Sequence, residues 1–380
     1  MIEEHRWKNV VLGAGAMGTA AAYHLAKRGE PVLLVEQFAL GHDRGSSHGA
    51  ARITRHSYAD PHYARLMPAA FRAWRELEAD AGQNLYVRTG GVSFGPPESD
   101  YVARVAANLA DLGVPHRLMK GWEFSRSIPA FTLPDSYDVV FEPDAGLLAA
   151  ARIVRLQAEL ARWIGNDKTT IYENFPIRRI DLDAGRPTLV GDTLRIVADR
   201  LIVTAGAWVG RLFPELATTL RPTRQQVLYF RPEDPSAFAI GRFPVFIHKG
   251  IGPLEAFYGM PDHLGGGVKA ARHGGPEVDP DGDDRAIGDE YRDLVRDFLR
   301  RHIPALAEAP IINTEVCLYT EAADEHFRLG FWKGRADVVV ASPCSGHGFK
   351  FSNLIGRVLA DLATLGATDI PLDLWRPEPA

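Results

Sequence analysis

Apolar positions along this chain follow two periods. Asn9 to Leu12, Pro31 to Val35, Leu201 to Val203 and Ala336 to Ala341 are short, nearly continuous apolar runs of the length of buried strands. Between the first two, Ala20 to Lys27 continue as a helix, so residues 8–36 read strand, helix, strand. Tyr63, Leu66, Met67, Ala70, Trp74 and Leu77 keep helical spacing over 62–80, a stripe that faces a core. Residues 101–112, 148–163 and 289–302 are further predicted helices, the last with a charged, solvated face. Residues 85–95 (LYVRTGGVSFG) read as a hairpin, and 170–203 as short strands broken by turn residues such as those at 183–187. Residues 222–260 alternate like strands of an antiparallel sheet, and 276–285, rich in Pro, Asp and Gly, form a loop.

Chemistry enters where the apolar runs end. Gly13, Gly15 and Gly18 stand in the spacing G-x-G-x-x-G between the first strand and its helix. The first glycine permits a sharp turn, the second lets a pyrophosphate approach the backbone, and the third lets helix and strand pack closely. Free N–H groups and the dipole at the helix start favour phosphate charge. Glu36 ends the second strand, 23 residues after Gly13, placed to accept a ribose hydroxyl pair. This combination specifies a dinucleotide; a tight turn without a ligand is the alternative. FAD and NAD share the ADP half that the motif reads. Ala205-Gly206 and the pair Gly346 and Gly348 follow two more apolar runs, so three strand ends converge on one crevice of an α/β sheet built from distant segments.

Beside that crevice, GHDRGSSHGAARITRHSY (41–58) carries three arginines. Such loops are commonly plain polar surface. Arg52 and Arg55 lie three apart, however, and on a helical turn would share a face towards phosphate, the electron-rich end of a flavin, or a substrate carboxylate. Near residue 265 three glycines precede Lys269, with His273 four residues later.

Composition narrows the classes. The 380 residues suffice for two domains, and 46% hydrophobic content for ordinary cores. A net charge of −5 without a basic stripe gives no reason to expect nucleic acid. Two cysteines exclude a disulfide framework and fit a reducing compartment. Glu3, Glu4, His5 and Arg6 lead straight into the first strand, so no signal peptide is expected. No apolar run approaches the ~20 residues of a membrane span, and the expected location is the cytoplasm.

Five stretches, GAGAMGTAAAYHLAKRG, GSSHGAARITRHSY, GVKAARH, CLYTEAADEHF and SGHGFKFS, occur in the order in which they stand in a known family. The chain resembles the monomeric sarcosine oxidase and N-methyltryptophan oxidase family of FAD-dependent amine oxidases. The resemblance implies a Rossmann-type, glutathione-reductase-like FAD domain made of residues 1–87, 144–221 and 321–380. A substrate domain of 88–143 and 222–320 would carry a large mixed or antiparallel sheet. It implies oxidation of the C–N bond of a secondary amino acid to an imine, with electrons passing through flavin to dioxygen to give hydrogen peroxide. Cofactor contacts are then expected from Gly13, Gly15, Met17, Gly18, Glu36, Arg44, Ser46, Arg52, Ala205, Gly206 and Trp208, and from Gly346, His347, Gly348 and Lys350.

By the same resemblance, Cys317 matches the cysteine that holds FAD through a thioether, where a buried small hydrophobe is the ordinary alternative; Cys344 reads as packing. Lys269 matches the lysine at the flavin face where dioxygen is reduced, against the alternative of a surface lysine. Arg55 and Lys350 match the pair that holds the substrate carboxylate, and Tyr258, His273 and Tyr319 match side chains shaping the amine pocket. The expected partners are a small secondary amino acid and dioxygen, with no nucleic acid, membrane or metal, in a monomer. Residues 240–262, expected to wall the pocket, diverge most from the family, and Ala271 and Pro343-Cys344 also depart from its pattern. A same-fold dehydrogenase, a glycated (fructosyl) amino acid oxidase, an NAD enzyme and a flavin scaffold without turnover are the alternatives.

Overall fold

The strand Glu3–Leu12 enters the molecule exposed and becomes fully buried from Asn9 onwards. A computed structural model describes residues 3–183, 185–252, 254–282 and 284–377, so Ala184 of the expected 183–187 turn and Asp283 of the expected 276–285 loop lie outside the described residues. Glu3–Leu12 lies between Leu194–Val203 and Val32–Val35, parallel to both, in an eight-stranded sheet. Thr169–Tyr172 continues beyond Val32–Val35, and Val338–Ser342 runs parallel to Leu194–Val203. The register aligns Leu12 with Val203 and Val35, and Val203 with Val340, so the carboxyl ends of four strands open at one level. Val10, Leu33, Leu201 and Val338 pack into one core, while Val11, Leu34, Ile202 and Val339 pack into another. Both faces are covered, and that is why these strands read as continuous apolar runs rather than alternating ones.

Helices Ala16–Lys27, Ala150–Gly165 and Ser352–Leu365 cover the second of those faces. A Cβ at Gly356 would sit 2.4 Å from the Ala20 Cβ, so the first and last helices touch through their small residues. The predicted helix over 62–80 is Pro61–Ala81, capped by Asp60, whose carboxylate accepts the His62 N–H at 2.7 Å. The charged helix is Asp289–His302, as its pattern predicts.

A second sheet has the order Ile311–Ala322, Leu220–Phe230, Val268–Arg272, Ala256–Met260, Val245–Lys249, Gly91–Gly95, Asp138–Glu142 and Arg117–Lys120. It is mixed rather than antiparallel, because Val245–Lys249 runs parallel to Gly91–Gly95. One face packs Leu228, Phe246, Phe257 and Ala270 against Tyr291, Val295 and Phe298 of the charged helix. The opposite face carries the chemistry described below.

Two local expectations fail. Residues 85–95 are no hairpin: Tyr86–Arg88 pairs with Gly146–Leu148 in a small three-stranded sheet, while Gly91–Gly95 joins the large one. The turn residues between them switch the chain from one sheet to the other. Gly90 has φ +70°, and a Cβ on Gly91 would lie 2.4 Å from that of Ala145. Arg52 and Arg55 are not on a helical turn either. Arg52 opens the strand Arg52–Thr54 in the small sheet and Arg55 follows its end, because that segment finds Gly146–Leu148 as a β partner.

Candidate functional site

At the aligned strand ends the backbone comes closest to itself. Gly13 has φ +100°, and a Cβ there would lie 2.5 Å from the Thr204 carbonyl oxygen. A Cβ on Gly18 would come to 1.7 Å from the Gly13 oxygen, so neither position admits a side chain. Thr204 Oγ1, at the end of the neighbouring strand, lies 3.0 Å from the Leu12 carbonyl and 2.9 Å from that of Gly13, tying the turn down. Glu36 is 4% exposed and accepts the N–H groups of Ala14 at 2.7 Å and Phe38 at 3.0 Å, one on each oxygen. Each oxygen keeps a lone pair for a hydroxyl.

These groups line one cavity. Gly13, Gly15, Met17, Glu36, Ser46, Ala205, Gly206, Trp208 and Gly348 are all on its wall. Gly18 packs behind the wall. Arg44 lines neither this cavity nor the next; its guanidinium lies 5.0 Å over the Phe38 ring. Ser47 and His48 are wall residues that the sequence reading did not single out. Ser47 Oγ accepts the Ala16 N–H at 3.0 Å, and His48 Nε2 is buried without a hydrogen-bond partner. Glycine backbone, a helix start, a spare-valence carboxylate and an unpaired imidazole nitrogen suit a bound dinucleotide, and the residues present fit FAD.

A second cavity, of about 500 Å³, adjoins the first along Ser46, Cys344, Gly348 and Phe349. It is lined by Arg52, Arg55, Tyr258, His273, Tyr319, Gly346, His347 and Lys350. Tyr58 also lines it, a residue the sequence reading quoted without assigning. Arg55 is half-buried, with Nε and Nη1 shielded from solvent and lacking any hydrogen-bond partner, and its guanidinium lies 4.6 Å over the Tyr58 ring. Lys350 donates to Tyr58 Oη at 3.0 Å and to the His347 carbonyl at 2.9 Å. His347 Nε2 lies 3.1 Å from the Glu325 carbonyl, an acceptor, so the proton belongs on Nε2. Nδ1 is then free to accept from Tyr58 Oη at 3.1 Å. Tyr58 and His347 are thereby satisfied, with a neutral imidazole, while Lys350 when protonated keeps one of its three N–H donors for a ligand.

The large sheet supplies the other side. Lys269 is the register partner of Tyr229 and of Met260, and Tyr258 that of Ile247 and Ala271. On the edge strand Glu315, Cys317 and Tyr319 alternate onto one face. Tyr229 Oη donates to Glu315 at 2.8 Å, and Lys269 Nζ stands 5.7 Å over the Tyr229 ring. Tyr258 and Tyr319 both line the chamber. Lys269 is 4% exposed, so it is no surface lysine, and Cys317 is 5% exposed. Neither lines a cavity wall directly; both lie close enough to Arg52 to feel its charge.

Burial and crowded positive charge set the protonation states. Burial, then the Arg52 guanidinium, pulls Lys269 down to about 8, against the opposing charge of Glu315. Burial and Arg55 hold Lys350 well below the ordinary lysine range. His273 is pulled down to about 3 by burial and then by Lys249, Lys350, Arg272 and Arg55. Burial pushes the Cys317 thiol up, countered by Arg52 and Lys269.

A dinucleotide cleft opening onto a separate chamber with an unsatisfied guanidinium defines a Rossmann-type enzyme that pairs a dinucleotide cofactor with a second ligand. The pattern of the FAD dependent oxidoreductase family matches residues 8–362. The chain is 34% identical over 375 residues to the monomeric sarcosine oxidase of Bacillus sp. (strain B-0618), covering 96% of this chain and 94% of that protein. It is 32% identical to the peroxisomal sarcosine oxidase of Homo sapiens, over 94% and 92% of the two chains. The solved structure of NikD, described as an unusual amino acid oxidase, superposes with a TM-score of 0.85 at 23% identity over 98% of both chains. The chain is an FAD-dependent oxidoreductase and belongs to the monomeric sarcosine oxidase family. Among the described residues no helix is long and apolar enough to cross a membrane, and no cluster of metal-ligating side chains occurs.

Proposed function

We propose that this protein oxidises the C–N bond of a secondary amino acid and passes the electrons to dioxygen. The observation that carries the reading is the Arg55 guanidinium, whose Nε and Nη1 are shielded and lack hydrogen-bond partners at the wall of a chamber that adjoins the dinucleotide cleft. A buried cation without a partner is costly unless a ligand anion completes it, and a carboxylate meets two guanidinium N–H groups at once. Lys350, depressed by burial and Arg55, regains a reason to be charged when that carboxylate arrives.

The same charges act on the amine. Arg52, Arg55 and Lys350 line the chamber, and a cationic amine among them is disfavoured, so the substrate nitrogen is held with its lone pair free. His273, neutral at any working pH, adds no further positive charge. Tyr258 and Tyr319 wall the chamber with their rings. FAD, when bound, supplies the acceptor for the substrate hydride and the route from it to oxygen. Lys269 is the fixed cation for the charge that develops on dioxygen, and Cys317 is the side chain for a thioether to the cofactor. The division into a cofactor domain and a substrate domain follows the two sheets. A peroxide screen over N-methyl, cyclic and glycated amino acids, with anaerobic bleaching of the flavin, tests the reading. A protein whose flavin no secondary amino acid bleaches would end it.

A further inference from the structure

The divergent segment 240–262 places one side chain with no role in the scheme above. Lys249 is the register partner of Ala256, and the Ala256 carbonyl accepts the His273 N–H at 2.7 Å. Register partners share a face of a sheet, and Lys249 is two residues from Ile247, the partner of Tyr258. Lys249 therefore lies on the chamber face, across the small Ala256 side chain from His273, and it lines the chamber. It is half-buried, and among the described residues it has no hydrogen-bond, ion-pair or ring partner.

Four carboxylates also line that cavity, and none is within ion-pair distance of this cation. Asp60 caps its helix through His62 N–H at 2.7 Å, and Asp324 takes Arg328 at 2.9 Å and His326 N–H at 3.0 Å. Asp100 stands exposed 3.8 Å from Arg104, and Glu325 is exposed at the rim. The charged groups that act most strongly on His273 are all positive: Lys249 first, then Lys350, Arg272 and Arg55. The inner chamber thus has two separate stations for an anion, one at Arg55 and Lys350 and one at Lys249. A substrate with one carboxylate fills only the first.

We infer that the preferred substrate is a secondary amino acid bearing a second carboxylate, which Lys249 receives beside His273. Lys249 is then a specificity residue, and the inference rests on the proposed reading of Arg55 as the anchor of the first carboxylate. The test compares kcat/KM, and dissociation constants from anaerobic flavin reduction, for iminodiacetate and N-methyl-L-aspartate against sarcosine and the neutral isostere N-methyl-L-asparagine. At least one diacid should exceed both neutral comparators by about tenfold or more, the size of one charge-assisted contact. Which diacid does so tells which side of the nitrogen carries the second acid. In Lys249→Gln that ratio should collapse towards one, mainly through the dissociation constant, while Lys249→Arg retains it. Oxidation of the neutral substrates with no diacid preference, or a preference that survives Lys249→Gln, overturns the inference alone. Failure of all four compounds to reduce the flavin while a cyclic or glycated amino acid does so also overturns the inference alone, and failure of every secondary amino acid overturns the proposed function beneath it.

Discussion

Replacing Lys269 by methionine removes one charge from a site that burial has already made expensive. The ammonium is lowered from its ordinary 10.5 to about 8, which at ~1.4 kcal/mol per tenfold means the folded protein holds it about 3 kcal/mol less comfortably than water does. It is nevertheless protonated at pH 7, one pH unit below that midpoint. A fixed, desolvated cation facing a developing negative charge is worth roughly 10²–10³ in rate, by analogy with single oxyanion-hole donors. Reoxidation of the reduced Lys269→Met protein, followed by stopped flow against dissolved oxygen at pH 7, should therefore slow by about that factor. Anaerobic reduction by substrate should change far less, because the amino acid's carboxylate goes to Arg55. The sign with pH follows from the lowered midpoint: in the native protein the charge is present below about 8 and lost above it. Native reoxidation should thus decline as pH rises through the Lys269 midpoint, about 8 before the electron-rich cofactor stands beside it and higher once it does, and the methionine variant should show no such inflection. Equal reoxidation rates of the two proteins at pH 7 would refute the reasoning.

Arg55→Ala should raise the KM for amino acid substrates by roughly 10- to 100-fold, the loss of a charge-assisted pair, and an unaltered KM would remove Arg55 from the site. Glu315→Gln removes the carboxylate that favours the Lys269 ammonium, so the inflection in reoxidation should move to lower pH; a stationary inflection would show that Glu315 does not act on Lys269. Cys317→Ser should release its yellow colour into the supernatant on acid precipitation, where the native protein keeps it in the pellet; colour lost from both would dismiss the thioether.

The sequence carried most of what local chemistry decides. G-x-G-x-x-G with its acid was readable because each glycine answers a short-range clash, such as Gly18 against the Gly13 carbonyl. The helix Asp289–His302 was readable because its apolar stripe at Tyr291, Val295 and Phe298 repeats locally. What escaped depended on pairing between distant strands. Turn-forming Thr89-Gly90-Gly91 looks the same whether its flanking strands pair with each other or part for two sheets. Tyr229 and Glu315 face Lys269 only because residues 220–230 and 311–322 flank one another in a register that no spacing along the chain encodes. Ser47 and His48 sat in a loop already marked as informative, but the Ala16 N–H that Ser47 accepts and the Glu315 and Lys269 charges near His48 lie elsewhere in sequence.

The distribution of charge explains why cleft and chamber must work as a pair. Arg52, Arg55, Lys269 and Lys350 are gathered at the junction of the two sheets, and Glu315 is the carboxylate set directly against Lys269 and Tyr229. Left alone, such a group of cations is disfavoured first by burial and then by mutual repulsion, as the depressed Lys269 and Lys350 both record. Two anionic guests relieve it from opposite sides: an electron-rich cofactor from the cleft and a carboxylate from the chamber. Each guest lowers the cost of charging the lysine that the other needs, so their binding is coupled and reciprocal. The protein with cofactor should therefore bind a non-reactive carboxylate more tightly than the protein stripped of it, and the carboxylate should in turn retain the cofactor against dissociation.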